Sequence, residues 1–313
     1  MPIRYNAPDI VNNPAWMLFR DEVKRIKSKK KMLILAHNYQ CPEILEVADI
    51  TGDSLELAIR AQQATEEIIV VCGVRFMAET AKLLNPDKKV LIPRDDAGCP
   101  LADQLTPEIM REAKARYPGA PFVIYVNSTA ACKAESDITC TSSNAVEIVR
   151  SLPQDLVLFG PDSNLAAFVQ RQIPEKKIIP VPDDGNCPIH NVISRYDVEE
   201  AKMIGGYIVC HPECTPEVSL AADAVVSTGK MKACIADHEV CHIFTESSML
   251  YLLQKAWPHK LLYGVEFAIC KNMQKTKAEN LLACITQEES EIMVEKEYAP
   301  RARSAIEKML ALH

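Results

Sequence analysis

The stretch KMLILAHNYQCPEILEVADITGDS (residues 31–54) decides the fold, because two later stretches repeat its pattern. These are FVIYVNSTAACKAESDITCTS (122–142) and GGYIVCHPECTPEVSLAADAVVST (205–228). Each begins with a short apolar run, passes through a polar turn into a segment with helical spacing, and then reaches an aspartate. Self-similarity at a period of about 85 residues indicates a repeated structural unit.

Two further apolar runs follow in every repeat, with a helical stretch between them. The first of these runs is EEIIVVCG (66–73), QDLVLFG (154–160) or HEVCHIFT (238–245). The second is KKVLIPRDDAGC (88–99), KKIIPVPDDGNC (176–187) or HKLLYGVEFAIC (259–270), and each ends on a cysteine. Strands that alternate with helices are typical of parallel sheets covered by helices on both faces.

The repeats therefore predict an α/β protein built from three similar three-layer α/β/α domains with parallel sheets, arranged around a pseudo-threefold axis. The alternative is that the three stretches are similar by chance. This is less favoured, because three separate segments recur with the same spacing in every repeat. The turn signal Pro118-Gly119 separates the first two units. The expected organisation is an N-terminal helical segment, three repeats and a C-terminal helical segment, at residues 1–30, 31–118, 119–200, 201–275 and 276–313.

The composition narrows the class of protein. The 313 residues contain 35 Lys+Arg and 42 Asp+Glu, and this acidic balance argues against nucleic acid and anionic membranes as partners. The start MPIRYNAPDIV lacks a signal-peptide pattern, and no apolar run is long enough to span a bilayer, so a cytoplasmic location is expected. Only 10 glycines occur and none are spaced G-x-G, which argues against a glycine-rich dinucleotide loop.

The twelve cysteines are the unusual feature of the composition. Cytosolic thiols are kept reduced, so disulfides are not expected, and the absence of C-x-x-C removes the commonest zinc-ribbon and thioredoxin patterns. The repeat makes Cys99, Cys187 and Cys270 equivalent positions. Most of the other nine are interpreted as small core side chains. Half of a zinc site at Cys210, His211 and Cys214 is a weaker alternative.

Polar side chains recur at equivalent positions beyond the first strand of each repeat. In parallel α/β sheets, ligands bind at the carboxyl ends of the strands, where helix N-termini point their free N–H groups. Around a pseudo-threefold axis, nine side chains at such ends and the three cysteines converge on one central cavity. The nine are His37, Tyr39, Ser54, Tyr125, Asn127, Ser142, His211, Glu213 and Thr228.

The number of convergent thiolates, three without a fourth equivalent, indicates which kind of metal site they could form. A structural zinc site requires four closed ligands, and an iron–sulfur cluster normally has four cysteine ligands. A [4Fe-4S] cluster held by three cysteines leaves one iron free to bind substrate and to act as a Lewis acid. The sequence therefore predicts a [4Fe-4S] enzyme that dehydrates or condenses its substrates.

Motifs in chain order carry a resemblance to a known family. The segments AHNYQ…GDSLELA, AGCPLAD, YVNSTAACKAESD…TSSNA, PDSNL, GNCPIH, HPEC and STG, with Cys270-Lys-Asn-Met, resemble the quinolinate synthase family, the A protein of bacterial NAD biosynthesis. The resemblance runs from about residue 31 to residue 275. It implies three α/β domains around a pseudo-threefold axis and a [4Fe-4S] cluster held by one cysteine from each domain.

The reaction that this resemblance implies condenses iminoaspartate, supplied by aspartate oxidase, with dihydroxyacetone phosphate to form quinolinate. Phosphate and two waters leave. The resemblance makes Tyr39 a catalytic residue, Glu213 the general base and His211 a neighbour that moves protons. Ser227 and Gly229 are expected to help bind phosphate or carboxylate through backbone N–H groups. The implied substrate-binding residues are His37, Ser54, Tyr125, Asn127, Ser142 and Thr228.

Two other function classes stay open. One is a different [4Fe-4S]-dependent hydro-lyase, and the pair Tyr39 and Glu213 argues against it because a plain dehydratase condenses nothing. The other is a non-enzymatic iron–sulfur sensor, and a nucleic-acid-binding sensor would need a basic patch that this acidic chain lacks. His190, at C-x-x-H after Cys187, either supports the cluster site or is a capped surface residue.

Overall fold

The structure is a computed structural model that describes residues 2–10 and 12–312. Within these residues the chain forms fifteen α-helices and thirteen β-strands, and the strands make three separate sheets. Strand β1 (Pro2–Arg4) and helix α1 (Pro14–Lys27) precede the first sheet. The side chain of Asn13 accepts a hydrogen bond from the backbone N–H of Ala15, which caps helix α1.

The first domain contains a four-stranded parallel sheet in the order β3-β2-β4-β5. Its strands are β2 (Met32–His37), β3 (Ile50–Gly52), β4 (Ile68–Cys72) and β5 (Lys89–Leu91). The accompanying helices are α2 (Pro42–Leu45), α3 (Ser54–Gln63), α4 (Arg75–Leu84) and α5 (Pro107–Arg116). A short 3₁₀ turn at Ala102–Gln104 follows Cys99.

The second domain repeats this arrangement in the order β7-β6-β8-β9. Its strands are β6 (Phe122–Tyr125), β7 (Ile138–Cys140), β8 (Leu156–Gly160) and β9 (Lys177–Pro180). Its helices are α6 (Ala130–Glu135), α7 (Ala145–Ser151), α8 (Ser163–Gln172), α9 (Pro188–Asn191) and α10 (Arg195–Ile204). The short helix α9 takes the place of the 3₁₀ turn and follows Cys187.

The third domain has a mixed sheet of five strands in the order β1-β13-β12-β10-β11. Its own strands are β10 (Tyr207–Cys210), β11 (Ala224–Val225), β12 (Val240–Phe244) and β13 (Leu261–Val265). Its helices are α11 (Pro216–Ser219), α12 (Thr228–Cys234) and α13 (Met249–Ala256), and a 3₁₀ turn at Met273–Lys275 follows Cys270. Helices α14 (Ala278–Gln287) and α15 (Ala299–Leu310) end the chain.

The predicted fold class, three repeated α/β/α domains, is confirmed, but two details differ from the expectation. Strand β1 pairs antiparallel with β13, so the third sheet is not wholly parallel. This strand comes from the N-terminal segment, which the sequence predicts as helical, and it covers an edge that would otherwise present unpaired backbone groups. Each sheet also has a short outer strand (β3, β7 or β11) that the apolar runs did not predict. The domain boundaries stay a prediction.

The repeated aspartate of the sequence pattern has the same structural task in all three domains. Asp49, Asp137 and Asp223 each accept a hydrogen bond of 2.8 Å from a backbone N–H of the central strand, at Ile34, Phe122 and Ile208 respectively. The carboxylates therefore fix the turn that leads into the outer strand.

The three domains share one core. The largest hydrophobic cluster contains fully buried residues from all three sheets, among them Ile69, Val123 and Val209. Helix α15 buries one face against α6 and β7, where Thr139 Oγ1 donates to the carbonyl oxygen of Ala305 at 3.2 Å. In the residues that the structure describes, no helix combines the length and the apolar character needed to cross a membrane.

Candidate active site

The carboxyl ends of the central strands of all three sheets face one central cavity of about 70 Å³. This cavity is lined by every one of the twelve residues that the sequence singled out. The first domain supplies His37, Tyr39, Ser54 and Cys99. The second supplies Tyr125, Asn127, Ser142 and Cys187, and the third supplies His211, Glu213, Thr228 and Cys270.

The position of each side chain follows from the strand or helix that carries it. His37 and Tyr125 are the last residues of β2 and β6, and His211 directly follows β10. Ser54 and Thr228 are the first residues of α3 and α12, so their hydroxyls lie at helix starts that face the strand ends.

A continuous series of polar contacts beside the cavity connects Tyr39 with Glu213. The Tyr39 hydroxyl lies 2.6 Å from Thr245 Oγ1, which lies 2.9 Å from His190 Nε2. His190 Nδ1 in turn lies 2.9 Å from Glu213 Oε2. Thr245 follows β12 and His190 lies in α9, so residues from three domains take part. His190 therefore lies between the Tyr39–Thr245 pair and the Glu213 carboxylate.

The second oxygen of Glu213 is held by another tyrosine. The Tyr125 hydroxyl donates a hydrogen bond of 2.5 Å to Glu213 Oε1. His211 stacks on the ring of His190 with centroids 4.7 Å apart, and its Nε2 lies 3.1 Å from Ser142 Oγ. The Glu213 carboxylate is therefore fixed between the Tyr125 hydroxyl and the His190 ring.

Burial sets the protonation states of the site. It lowers the pKa of His37 to about 4 and that of His211 to about 3, so both rings are neutral at pH 7. Burial also raises the pKa of Tyr39 and Tyr125 well above the usual value, so both keep their protons. Burial alone would raise the pKa of Glu213, but His190, His211 and the Tyr125 hydrogen bond lower it below its ordinary value.

The three equivalent cysteines have a donor environment suited to a metal cluster. All three thiols are free and half-buried. Burial raises their pKa values, that of Cys99 to about 12, while backbone N–H groups of the turn that follows each cysteine oppose this rise. Such N–H groups commonly donate to the sulfurs of iron–sulfur clusters. Among the described residues, Cys187, His190 and Glu213 also form a group that could hold a single metal ion, with ligand atoms within 4.8 Å of one another.

Several residues of the cavity and of the polar contacts beside it were missed or left undecided by sequence reasoning. His190 is only 2% exposed, so the surface alternative is wrong. Thr245 and Glu246 follow β12, and Glu246 Oε1 accepts from the backbone N–H of Cys270 at 3.1 Å. Both residues could have been predicted from their position directly after the second strand of a repeat. Residues there lie at the same edge of the sheet as the predicted site residues. Asp53, before α3, was also missed.

The zinc alternative at Cys210, His211 and Cys214 is wrong. Both cysteines are buried in the hydrophobic core of the third domain, among residues such as Val218 and Phe244. His211 instead faces the central cavity. The three side chains therefore belong to different environments.

Comparison with known proteins agrees with this architecture. The family model described as "NadA: Quinolinate synthetase A protein" matches residues 21–311. The quinolinate synthase of Pyrococcus horikoshii is 48% identical over 297 residues, which cover 93% of this chain and 98% of the relative. That of Alkaliphilus metalliredigens is 46% identical over 297 residues, covering 93% and 97%. That of Thermotoga maritima is 43% identical over 296 residues, covering 93% and 99%.

The fold and the cavity define a class of three-domain α/β proteins that share one thiol-lined central site. Within that class, the chain belongs to the quinolinate synthase family, because both the family model and relatives of this identity cover nearly all of it. The motifs that carry the family resemblance in the sequence lie within the matched residues.

Proposed function

We propose that this protein condenses iminoaspartate with dihydroxyacetone phosphate to give quinolinate, phosphate and two waters, as a step of NAD biosynthesis in the cytoplasm. Iminoaspartate would come from an aspartate oxidase. The proposal is supported above all by one observation: the contacts from Tyr39 to Glu213 border the same cavity as three cysteines from three domains. A cavity of this kind offers acid–base groups and metal ligands to one small substrate.

The cofactor in this proposal is a [4Fe-4S] cluster held by Cys99, Cys187 and Cys270. When bound, a cluster with only three protein ligands supplies an open iron, which acts as a Lewis acid toward a hydroxyl or carboxylate of the substrate. The fit rests on the number and type of donors, three free thiols and no fourth cysteine among the cavity-lining residues that the structure describes.

The protein's own part in the reaction is to move protons. Ring formation and loss of water require a proton to leave carbon and a proton to reach the departing hydroxyl. Glu213 is ionised at neutral pH because its pKa is lowered, so its carboxylate accepts the proton. His190 and Thr245 link that carboxylate to the Tyr39 hydroxyl, which keeps its proton and donates it at the other end.

Binding of the anionic substrates is assigned to the hydroxyl and amide groups of the cavity. Ser54, Ser142 and Thr228 occupy equivalent positions in the three domains, and their hydroxyls suit a phosphate or carboxylate group. The Asn127 Oδ1 atom is buried and has no hydrogen-bond partner among the described residues. A buried unpaired acceptor is costly, so a substrate N–H or O–H is its expected partner.

One assay tests this function. Anaerobically purified protein is supplied with iminoaspartate and dihydroxyacetone phosphate, and quinolinate is measured by chromatography. Quinolinate formation that needs both substrates supports the proposal. Turnover of a hydroxy acid without quinolinate would instead support a different hydro-lyase, and a cluster-loaded protein with neither activity would support the sensor class.

A further inference from the structure

A second polar cluster, separate from the contacts between Tyr39 and Glu213, joins all three domains at one point. Ser143 Oγ lies 2.6 Å from Asp53 Oδ2 and 2.7 Å from Ser227 Oγ. These three residues belong to the first, second and third repeats. A serine hydroxyl has a single hydrogen, so Ser143 donates to the Asp53 carboxylate and Ser227 donates to Ser143. The cluster is thus a directed pair of hydrogen bonds that ends on one carboxylate.

This cluster is adjacent along the chain to the three hydroxyl residues of the cavity. Asp53 precedes Ser54, Ser143 follows Ser142, and Ser227 precedes Thr228. Asp53 and Ser227 are 8% and 1% exposed. Any shift that separates the three domains at this point would therefore also separate the hydroxyls of their neighbours.

Two further contacts fix Asp53 in place. Its Oδ1 atom accepts from the backbone N–H groups of Leu55 and Glu56 at 3.1 and 3.0 Å, which caps helix α3. On the opposite side, Gly229 approaches so closely that a Cβ atom there would lie 2.6 Å from Asp53 Oδ2. The carboxylate therefore has one oxygen for its own helix and one for the other two domains.

Asp53 also marks the boundary between the cavity and the surface. It lines the central cavity, and it lines an outer groove together with Arg60, Ser143, Gly229 and Lys230. Lys230 Nζ donates to the carbonyl oxygen of Ser143 at 3.0 Å. The hydrogen-bonded cluster therefore stands between the central site and a groove that carries two cations and two carboxylates, from Arg60, Lys230, Asp53 and Glu56.

We propose that Asp53 is a positioning residue. Through its partners Ser143 and Ser227 it keeps the three hydroxyl groups of the cavity in a fixed arrangement, and it closes the cavity on the side of this groove. The three hydroxyl groups belong to Ser54, Ser142 and Thr228. Substrate and product pass this point when the two hydrogen bonds break. The kinetic part of this inference rests on the proposed function, whereas the closure itself does not.

Hydrogen exchange tests the closure without any assay of activity. Ser143→Ala removes the hydroxyl that reaches both partners, and Asp53→Ser keeps a good helix cap but is too short to reach Ser143. Because a hydrogen bond to a charged group is lost, amides at residues 53–57 and 227–230 should exchange about tenfold faster in both variants. Ser151→Ala, which loses only a bond to the Ile148 carbonyl in the same domain, is the matched control.

Kinetics then separate a positioning role from a merely structural one. In both variants the KM for dihydroxyacetone phosphate should rise about tenfold, with kcat and the melting temperature changed little. Gly229→Ala pushes against the carboxylate from the other side and should have the same effect. The double variant Asp53→Ser/Ser143→Ala should have the same KM as either single variant, since both substitutions break the same hydrogen-bonded cluster.

The outcomes are distinguishable. Faster exchange confined to residues near position 143, with no change in the other two domains, would overturn the closure. Faster exchange with an unchanged KM would overturn the positioning role. If the wild-type protein makes no quinolinate, the proposed function fails, and the exchange data still decide whether Asp53 closes the cavity.

Discussion

His190 Nδ1 lies 2.9 Å from Glu213 Oε2, and both side chains are almost fully buried. The histidine lies in α9, directly after Cys187, whereas the glutamate follows β10 of the next domain. The proposed cluster ligand Cys187 and the proposed general base Glu213 are therefore joined by a turn of helix and one contact. Disturbing either side of this pair should change the ionisation of the base.

His190→Asn should lower kcat by a factor of about 10² to 10⁴, the usual contribution of a group that moves protons. His190 is the largest cause that lowers the pKa of Glu213, so its loss should raise that pKa. The acidic limb of the pH–rate profile should then move to higher pH. His238→Asn is the control, because His238 stacks on Tyr207 outside the cavity. An unchanged acidic limb would argue that His190 does not tune the base.

Tyr39→Phe should retain the iron but form no quinolinate, because the phenyl ring fills the same space and cannot donate a proton. Thr245→Val should lose most of the rate for a related reason, since it removes the hydroxyl that bonds both Tyr39 and His190 and leaves only their direct contact of 3.4 Å, with little change of side-chain volume. Quinolinate and iron are measured on the same samples. Thr80→Val, at a buried threonine that bonds the Phe76 carbonyl, is the matched control. Normal turnover by the Tyr39 variant removes that residue from the mechanism.

Alanine at Cys99, Cys187 or Cys270 should abolish the brown colour of anaerobically purified protein. The wild type should hold about four irons per chain, and each variant should lose most of them because one thiolate ligand is gone. Cys72→Ala and Cys284→Ala should keep the colour, since these thiols are buried in a separate hydrophobic cluster. Iron analysis and the visible spectrum decide the result. Full cluster retention in any of the first three variants contradicts the ligand assignment.

The free energy of unfolding should fall as the pH drops from 6.5 toward 4. His37 has a folded-state pKa of about 4 against an ordinary value of 6.5, so the unfolded chain binds more protons in that interval. Stability is therefore complete above pH 6.5 and is lost as the pH falls. The loss from His37 amounts to about 3 kcal/mol at pH 4. His211, with a pKa of about 3, acts in the same direction.

Denaturant unfolding of cluster-free protein measures this dependence, since acid loss of a cluster then does not contribute. His37→Asn should flatten the curve between pH 6.5 and 4. His259→Asn should not, because that ring is 60% exposed. Equal slopes for the wild type and His37→Asn would show that the burial of His37 has no such effect.

Much of the fold could be predicted from the sequence because its causes are local and repeated. Apolar runs, helical spacing and the aspartates Asp49, Asp137 and Asp223 recur in phase, and each aspartate makes the same contact with its own central strand. Strand β1 could not be predicted in this way. Three residues carry too weak a periodicity, and their place is decided by the free edge of β13, more than 250 residues away along the chain.

In the site, too, some features could be predicted from the sequence and others could not. The repeats in the sequence were enough to show which positions are equivalent, and thus to predict that three cysteines and nine polar residues converge at the strand ends. Which atoms meet depends on the packing of the domains: His190 and Thr245 connect Tyr39 with Glu213, and Asp53 joins Ser143 to the first domain. The physical reason is that periodicity fixes the edge of a sheet at which a side chain lies. Polar contacts of under 3 Å between domains depend on how three separately formed units pack around one cavity.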